Sequence, residues 1–159
     1  MNTAQAAQGF LTHRRLAVVG VSRDPRDFSR TIVAELSRRG YDVVPVNPSG
    51  GFVRRVQDIV PPVEAALLMT PPAATTEVVK DCGEAGIRHV WMHQGVGRGA
   101  ASPAAIAFCE SHGISVVSGA CPLMYLPETG FVHRAHRWCR DVLRSPRPDG
   151  AATASAFRP

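Results

Sequence analysis

The sequence has one lysine, Lys80, among its 18 cations, only 6% aromatic residues, no C-x-x-C pair and no long apolar run. Its wholly apolar stretches fall far short of the roughly 20 residues that a membrane-crossing helix requires. Met1 to Leu11 lacks a cationic region leading into an apolar one, so neither a membrane span nor a secretory signal is expected. Cys82, Cys109, Cys121 and Cys139 are too widely spread for a disulfide scaffold or a zinc ribbon, and they fit reduced thiols in the cytoplasm. With few aromatics and no basic stretch interleaved with them, a stacking platform for single-stranded nucleic acid is disfavoured.

What remains is a chain of 159 residues, 45% hydrophobic, long enough to bury one real core and too short for two full domains. The formal net charge of +5 is carried almost wholly by scattered arginines. That balance favours an anionic partner, and a phosphorylated small molecule suits it at least as well as nucleic acid does.

The apolar pattern alternates between two periods. Leu16 to Val21, Tyr41 to Val46, Ala65 to Met69, Ile87 to Met92 and Ile114 to Val117 are short runs rich in branched residues and read as five strands. Phe28 to Arg39, Ala73 to Ala85 and Ser102 to His112 carry helical spacing and stop at Gly40, Gly86 and Gly113. Strands this apolar, without period-two alternation, belong in a sheet buried on both faces. The expected fold is therefore α/β, a Rossmann-like, open, doubly wound five-stranded parallel sheet with helices on both sides. The first ten or so residues read as a short helix ahead of the sheet, and Phe131 to Leu143 as a final amphipathic helix. Residues 1–144 would form one domain, and the Pro-, Ala- and Gly-rich segment from Ser145 to Pro159 a disordered tail.

Open parallel sheets bind ligands where their strands end, near the reversal of strand order. The first such turn is Gly20-Val21-Ser22-Arg23-Asp24-Pro25. Its glycine lets backbone approach a ligand, the Ser22 hydroxyl and the amides of the next helix suit a phosphate, and Arg23, Arg26 and Arg30 add positive charge. It is not the dinucleotide fingerprint: Ser22 stands at the second glycine position, and the second strand ends Val46-Asn47-Pro48 without an acid for the ribose. NAD is disfavoured, whereas an NADP-linked oxidoreductase or related nucleotide-dependent enzyme is the alternative reading. The later turns, Thr70-Pro71-Pro72, His93-Gln94-Gly95 and Gly119-Ala120-Cys121-Pro122, supply small or rigid groups rather than catalysts.

Taken in order, VVGVSRDP, VVPVNP, LLMTPPAA, GIRHVWMHQGV and GISVVSGACP resemble the small bacterial CoA-binding proteins, whose fold is similar to the CoA-binding domain of the succinyl-CoA synthetase alpha subunit. The resemblance spans Leu16 to Pro122 and extends through CPLMYLPETGFVHRAHRW to about Arg144. It implies a site for coenzyme A or an acyl-CoA in which Gly20, Val21, Ser22 and Arg23 hold the diphosphate. Asn47 and Pro48 would wall the nucleotide pocket, Thr70, Pro71 and Pro72 face adenosine or pantetheine, and Met92, His93, Gln94 and Gly95 line the same cleft. Cys121 and Pro122 would lie at its thiol end, and Arg23, Arg26 and Arg30 near the 3′-phosphate. The synthetase's histidine-bearing and nucleotide-grasping domains have no counterpart here, so ligase activity is not expected and the implied role is non-enzymatic: a carrier, sensor or regulatory protein. Where the synthetase has a lysine near the second-strand turn, this chain reads Asn47-Pro48-Ser49, leaving that charge to arginine, and Ala120 stands where many small members carry Arg.

Two features invite sharper chemistry. Cys121 beside the thiol of CoA suggests a mixed disulfide under oxidation, against the weightier reading of a small packed residue. His133, His136 and Cys139 recur every three residues, but that step drifts around a helix and no fourth ligand is evident, so no metal is expected. His93, without a nucleophile or an orienting acid in the pattern, carries no catalytic assignment. A basic module binding an acidic protein or nucleic acid without a small ligand is the remaining class, and the sequence leaves a homodimer or another protein partner open.

Overall fold

The protein is described by a computed structural model over residues 3–95 and 99–126. The expected helix from Phe131 to Leu143, with His133, His136 and Cys139, and the segment from Ser145 onward lie outside these residues. Five strands, β1 (Arg15–Val19), β2 (Asp42–Val46), β3 (Ala65–Leu68), β4 (His89–His93) and β5 (Ser115–Ala120), form one sheet in the order β2-β1-β3-β4-β5. Every pairing is parallel, as the continuous apolar runs require. The helices are α1 (Thr3–Thr12), α2 (Phe28–Arg38), α3 (Pro72–Glu84) and α4 (Pro103–Ser111). None of them is long and apolar enough to cross a membrane.

Alternation along each strand divides the interior between two faces. Ala17, Val19, Ala66, Leu68, Val90 and Met92 pack with Val79 and Cys82 of α3 and Ala105 and Cys109 of α4. On the other face Trp91 meets Phe10 of α1 edge-on, with ring centroids 5.3 Å apart. The Trp91 indole N–H, buried with its ring, donates to the Ala120 carbonyl at 2.9 Å. Burial pushes the Cys82 and Cys109 thiols up to about 12 and about 11, so both stay protonated as core groups.

Helices α2, α3 and α4 end alike, and their endings set the strand boundaries. In each, the residue after a left-handed glycine sends its amide back five positions: Tyr41 to Leu36, Ile87 to Cys82 and Ile114 to Cys109. Those three apolar residues are buried, which completes the Schellman arrangement. Tyr41, Ile87 and Ile114, read from sequence as first residues of strands, therefore belong to helix ends, and the strands begin one or two residues later. β1 stops at Val19 because the Gly20 and Val21 amides both turn to the Val46 carbonyl, at 2.9 and 3.3 Å. β5 runs past Val117 to Ala120, because Gly119 enters as an extra residue where the register with β4 shifts between Met92 and His93.

Candidate functional site

Strand order reverses between β1 and β3, and the turns leaving these two strands touch there. A Cβ on Gly20, whose φ is +92°, would stand 3.0 Å from both the carbonyl carbon and the oxygen of Met69. Only glycine fits that conformation and that spacing together. The β3 turn is fixed by a Thr70–Thr75 hydroxyl contact of 2.9 Å and by Pro72 opening α3. Thr70 is buried, while Pro71 is exposed and Pro72 half-buried at the cleft edge.

The β1 turn is organised by its own polar groups. The Ser22 amide donates to the Ser29 hydroxyl at 2.9 Å, and the Ser22 hydroxyl accepts the Asp24 amide at 3.1 Å. Asp27 caps α2 by accepting the Ser29 amide at 2.8 Å. The free helix amides expected from sequence are thus partly engaged by side chains of the turn itself. The Ser22 hydroxyl proton and the positive end of α2 remain as groups suited to an anion.

The three arginines expected to act together are separated. Arg26 forks onto Asp24, with contacts of 3.1 and 3.0 Å, and its side chain is 88% exposed. That pairing holds the Asp24 carboxyl below the usual range and raises Arg26. Arg30 lies over the Phe52 ring, 5.1 Å from its centroid, and the Arg23 stem passes Gly51, 3.3 Å from where a Cβ would stand. Arg23 and Arg30 therefore flank the loop after β2. Asn47 joins that loop to the β1 turn: its amide donates to the Val21 carbonyl at 2.8 Å and its carbonyl accepts the Ser49 amide at 2.7 Å. The Asn47 amide is a crosslink between two walls, and the exposed Pro48 follows it.

At β4, neighbours diverge. Met92 has no exposed surface and lies in the core beneath α3 and α4, which corrects the expectation that its side chain lines the cleft. Alternation sends His93 to the opposite face, where its ring lies 5.6 Å from that of Phe28, the first residue of α2. His93 is 8% exposed, its Nε2 is buried without a hydrogen-bond partner among the described residues, and burial pushes its pKa down, which favours the neutral ring. Gln94 and Gly95 are exposed beyond it, and the Gln94 amide shares the Ala120 carbonyl with Trp91. Val21 and Pro122 are buried and support the site from beneath, while Cys121 is half-exposed at the end of β5.

The sequence reading passed over Asp24, Asp27, Phe28, Ser29 and Phe52. Asp27-Phe28-Ser29 ahead of an apolar-periodic stretch is a legible helix start, and Asp24 two residues before Arg26 is a legible turn pair. Phe52 has no such local signal, because its partner Arg30 is distant in the chain.

A family model described as a CoA binding domain matches residues 14–127. Among solved structures, a conserved hypothetical protein from Pyrococcus furiosus is 28% identical over 71% of this chain and 99% of its own, with a TM-score of 0.64. A hypothetical protein from Pyrococcus horikoshii OT3 shares 24% identity over 79% of this chain and 89% of its own, with a TM-score of 0.70. A Thermus thermophilus protein, also 24% identical, covers 79% of this chain and 96% of its own at 0.67. The latter two establish a shared fold. No curated protein matches the sequence.

Proposed function

The chain belongs to the CoA-binding domain family, and from that premise we propose that it binds coenzyme A or an acyl-CoA across the carboxyl ends of β1, β3 and β4 without transforming it. The observation that carries this reading is the contact at the switch point, where Gly20 brings the β1 turn against Met69 and Thr70 and leaves the start of α2 facing the cleft. In this reading Gly20, Ser22 and Arg23 hold the diphosphate, and Val21 supports them from the core. Arg23 and Arg30, beside the β2 loop, meet the 3′-phosphate, and Arg26 joins them when the ligand competes for it with Asp24. Asn47 and Pro48 shape the nucleotide wall, and Thr70, Pro71, Pro72, His93, Gln94 and Gly95 follow the arm of the ligand toward Cys121 and Pro122. Among the described residues His93 Nε2 bonds neither a nucleophile nor an acid, which favours binding over catalysis. A carrier, sensor or regulatory protein of the cytoplasm fits such a site.

Thermal unfolding of ligand-stripped protein with CoA, dephospho-CoA, acetyl-CoA, NAD and NADP tests the proposal. A ligand at a hundred times its Kd adds about 2.7 kcal/mol of stability. For a domain near this size that corresponds to a rise of about 5–10 °C. CoA should raise the midpoint, and dephospho-CoA should raise it less. A response confined to NADP would replace this reading with the dinucleotide one, and no response to any CoA species would end it.

A further inference from the structure

Among the cleft groups, His93 is the one whose hydrogen bonding is incomplete. Its side chain is more than nine-tenths buried, and Nε2 is shut from solvent with no partner among the described residues. Buried polar atoms are mostly satisfied in folded proteins, so an orphaned nitrogen at a ligand cleft is a group that a bound molecule can satisfy. The edge of the ring that carries Nε2 is turned toward Gly95. A Cβ there would stand 3.0 Å from Cε1 and 3.6 Å from Nε2. Lacking a Cβ, Gly95 lets the His93 ring lie closer than any other residue would, and its φ is not among the left-handed ones, so close approach rather than backbone conformation is what the glycine supplies. The bulge at Gly119 sets the position: the register shift falls between Met92 and His93, where β4 ends.

Two strand spacings, about 10 Å, separate β4 from the Gly20 turn on β1. In the functional reading above the nucleotide lies against the loop after β2, on the other side of β1, so a ligand whose diphosphate sits on the β1 turn extends its arm toward His93. Resting on the functional reading above, we propose that His93 is a specificity-determining residue that hydrogen-bonds an amide of the pantetheine arm through Nε2, so that the site selects a nucleotide bearing that arm over the same nucleotide without it. A secondary amide offers both a carbonyl and an N–H, and neutral imidazole can donate or accept at Nε2, so either tautomer finds a partner. A charged ring would bind a phosphate, but burial keeps this one neutral.

Titration calorimetry of the full chain with CoA and with 3′-phospho-ADP, the CoA nucleotide lacking its arm, tests the inference. His93→Leu should weaken CoA about tenfold, as expected for one lost hydrogen bond to a buried group, while 3′-phospho-ADP binds as before. His93→Gln should recover most of the loss, and Gly95→Ala, whose Cβ would push the His93 ring from its place, should weaken CoA in the same selective way. In the unmodified protein, the Nε2 nitrogen resonance should move with CoA and stay in place with 3′-phospho-ADP. Equal CoA affinity in His93→Leu and wild type, or equal losses for both ligands, would overturn the role of His93 while leaving CoA binding intact. Failure of the wild-type protein to bind either ligand would overturn the functional reading, and this inference with it.

Discussion

Replacing Gly20 with alanine tests the contact on which the site depends, and the structure supplies its own control. Gly20 and Gly40 have φ of +92° and +80°, yet an added Cβ meets Met69 at 3.0 Å in the first case and nothing within 4 Å in the second. At either position an L-residue in the left-handed region costs about 1–2 kcal/mol. The loss of unfolded-chain freedom returns about 0.4–1 kcal/mol. Gly40→Ala should therefore destabilise by about 0.5–1 kcal/mol. Gly20→Ala adds an overpacking cost of about 1–3 kcal/mol, because its neighbours are backbone atoms that cannot rotate aside. The expected total is about 2–4 kcal/mol, or a fall in Tm of about 5–15 °C against a few degrees for Gly40→Ala. Urea unfolding of both variants, followed by tryptophan fluorescence and far-UV circular dichroism, measures the difference. If the two lie within about 0.5 kcal/mol of each other, beyond which surface effects rarely reach, the close approach of the β1 and β3 turns is wrong and the cleft built on it loses its floor. A destabilised Gly20→Ala that still binds CoA as wild type does would instead locate the ligand away from this turn.

Three further outcomes follow from particular groups. His89 and His93 are both held below the usual histidine value, His89 by burial and then by the charge of His13, with Glu64 opposing, and His93 by burial. The unfolded chain takes up these protons from about pH 6.5 downward while the fold resists them, so stability should be flat above about pH 7.5 and fall on acidification. A His89→Asn, His93→Asn double variant with the same acid slope as wild type in urea titrations at pH 7.5 and 5.5 would sink that assignment. Met92→Ala should cost about 2–5 kcal/mol as a core truncation, yet leave CoA affinity per folded molecule unchanged by calorimetry. Asp24→Asn removes a carboxylate from the diphosphate turn and releases Arg26, so CoA should bind more tightly and with a steeper salt dependence; weaker binding would mean that Asp24 shapes the turn more than it repels the ligand.

The architecture was legible because a parallel sheet buried on both faces leaves an unambiguous trace: short branched runs such as LAVV and AALL, separated by helix-period segments. The strand starts were misplaced for one repeated reason. Glycine followed by a buried apolar residue closes a helix with a bond five positions back, and an apolar residue after glycine looks the same whether it ends a helix or begins a strand. Tyr41, Ile87 and Ile114 were all of this kind. The end of β5 was missed because Ser118-Gly119-Ala120 has no strand composition; it stays in the sheet through a bulge, a property of two strands together and of neither alone.

The same distinction governs the site. The turns could be located from sequence because they follow the strands, and strand ends are where such folds bind ligands. Side-chain destinations could not, because they depend on sheet face and on contacts far along the chain. Met92 and His93 are adjacent, but one fills the core and the other presents an unsatisfied nitrogen toward Gly95. Asn47, which reads as a contact for ligand, spends both ends of its amide on backbone. A turn pattern can therefore specify where a phosphate-bearing ligand rests, while its arm is recognised by whichever polar group the packing has left without a partner. Among the described groups of this cleft His93 meets that condition, so selectivity for the arm should respond to substitutions at His93 and Gly95 and not at Met92 or Asn47.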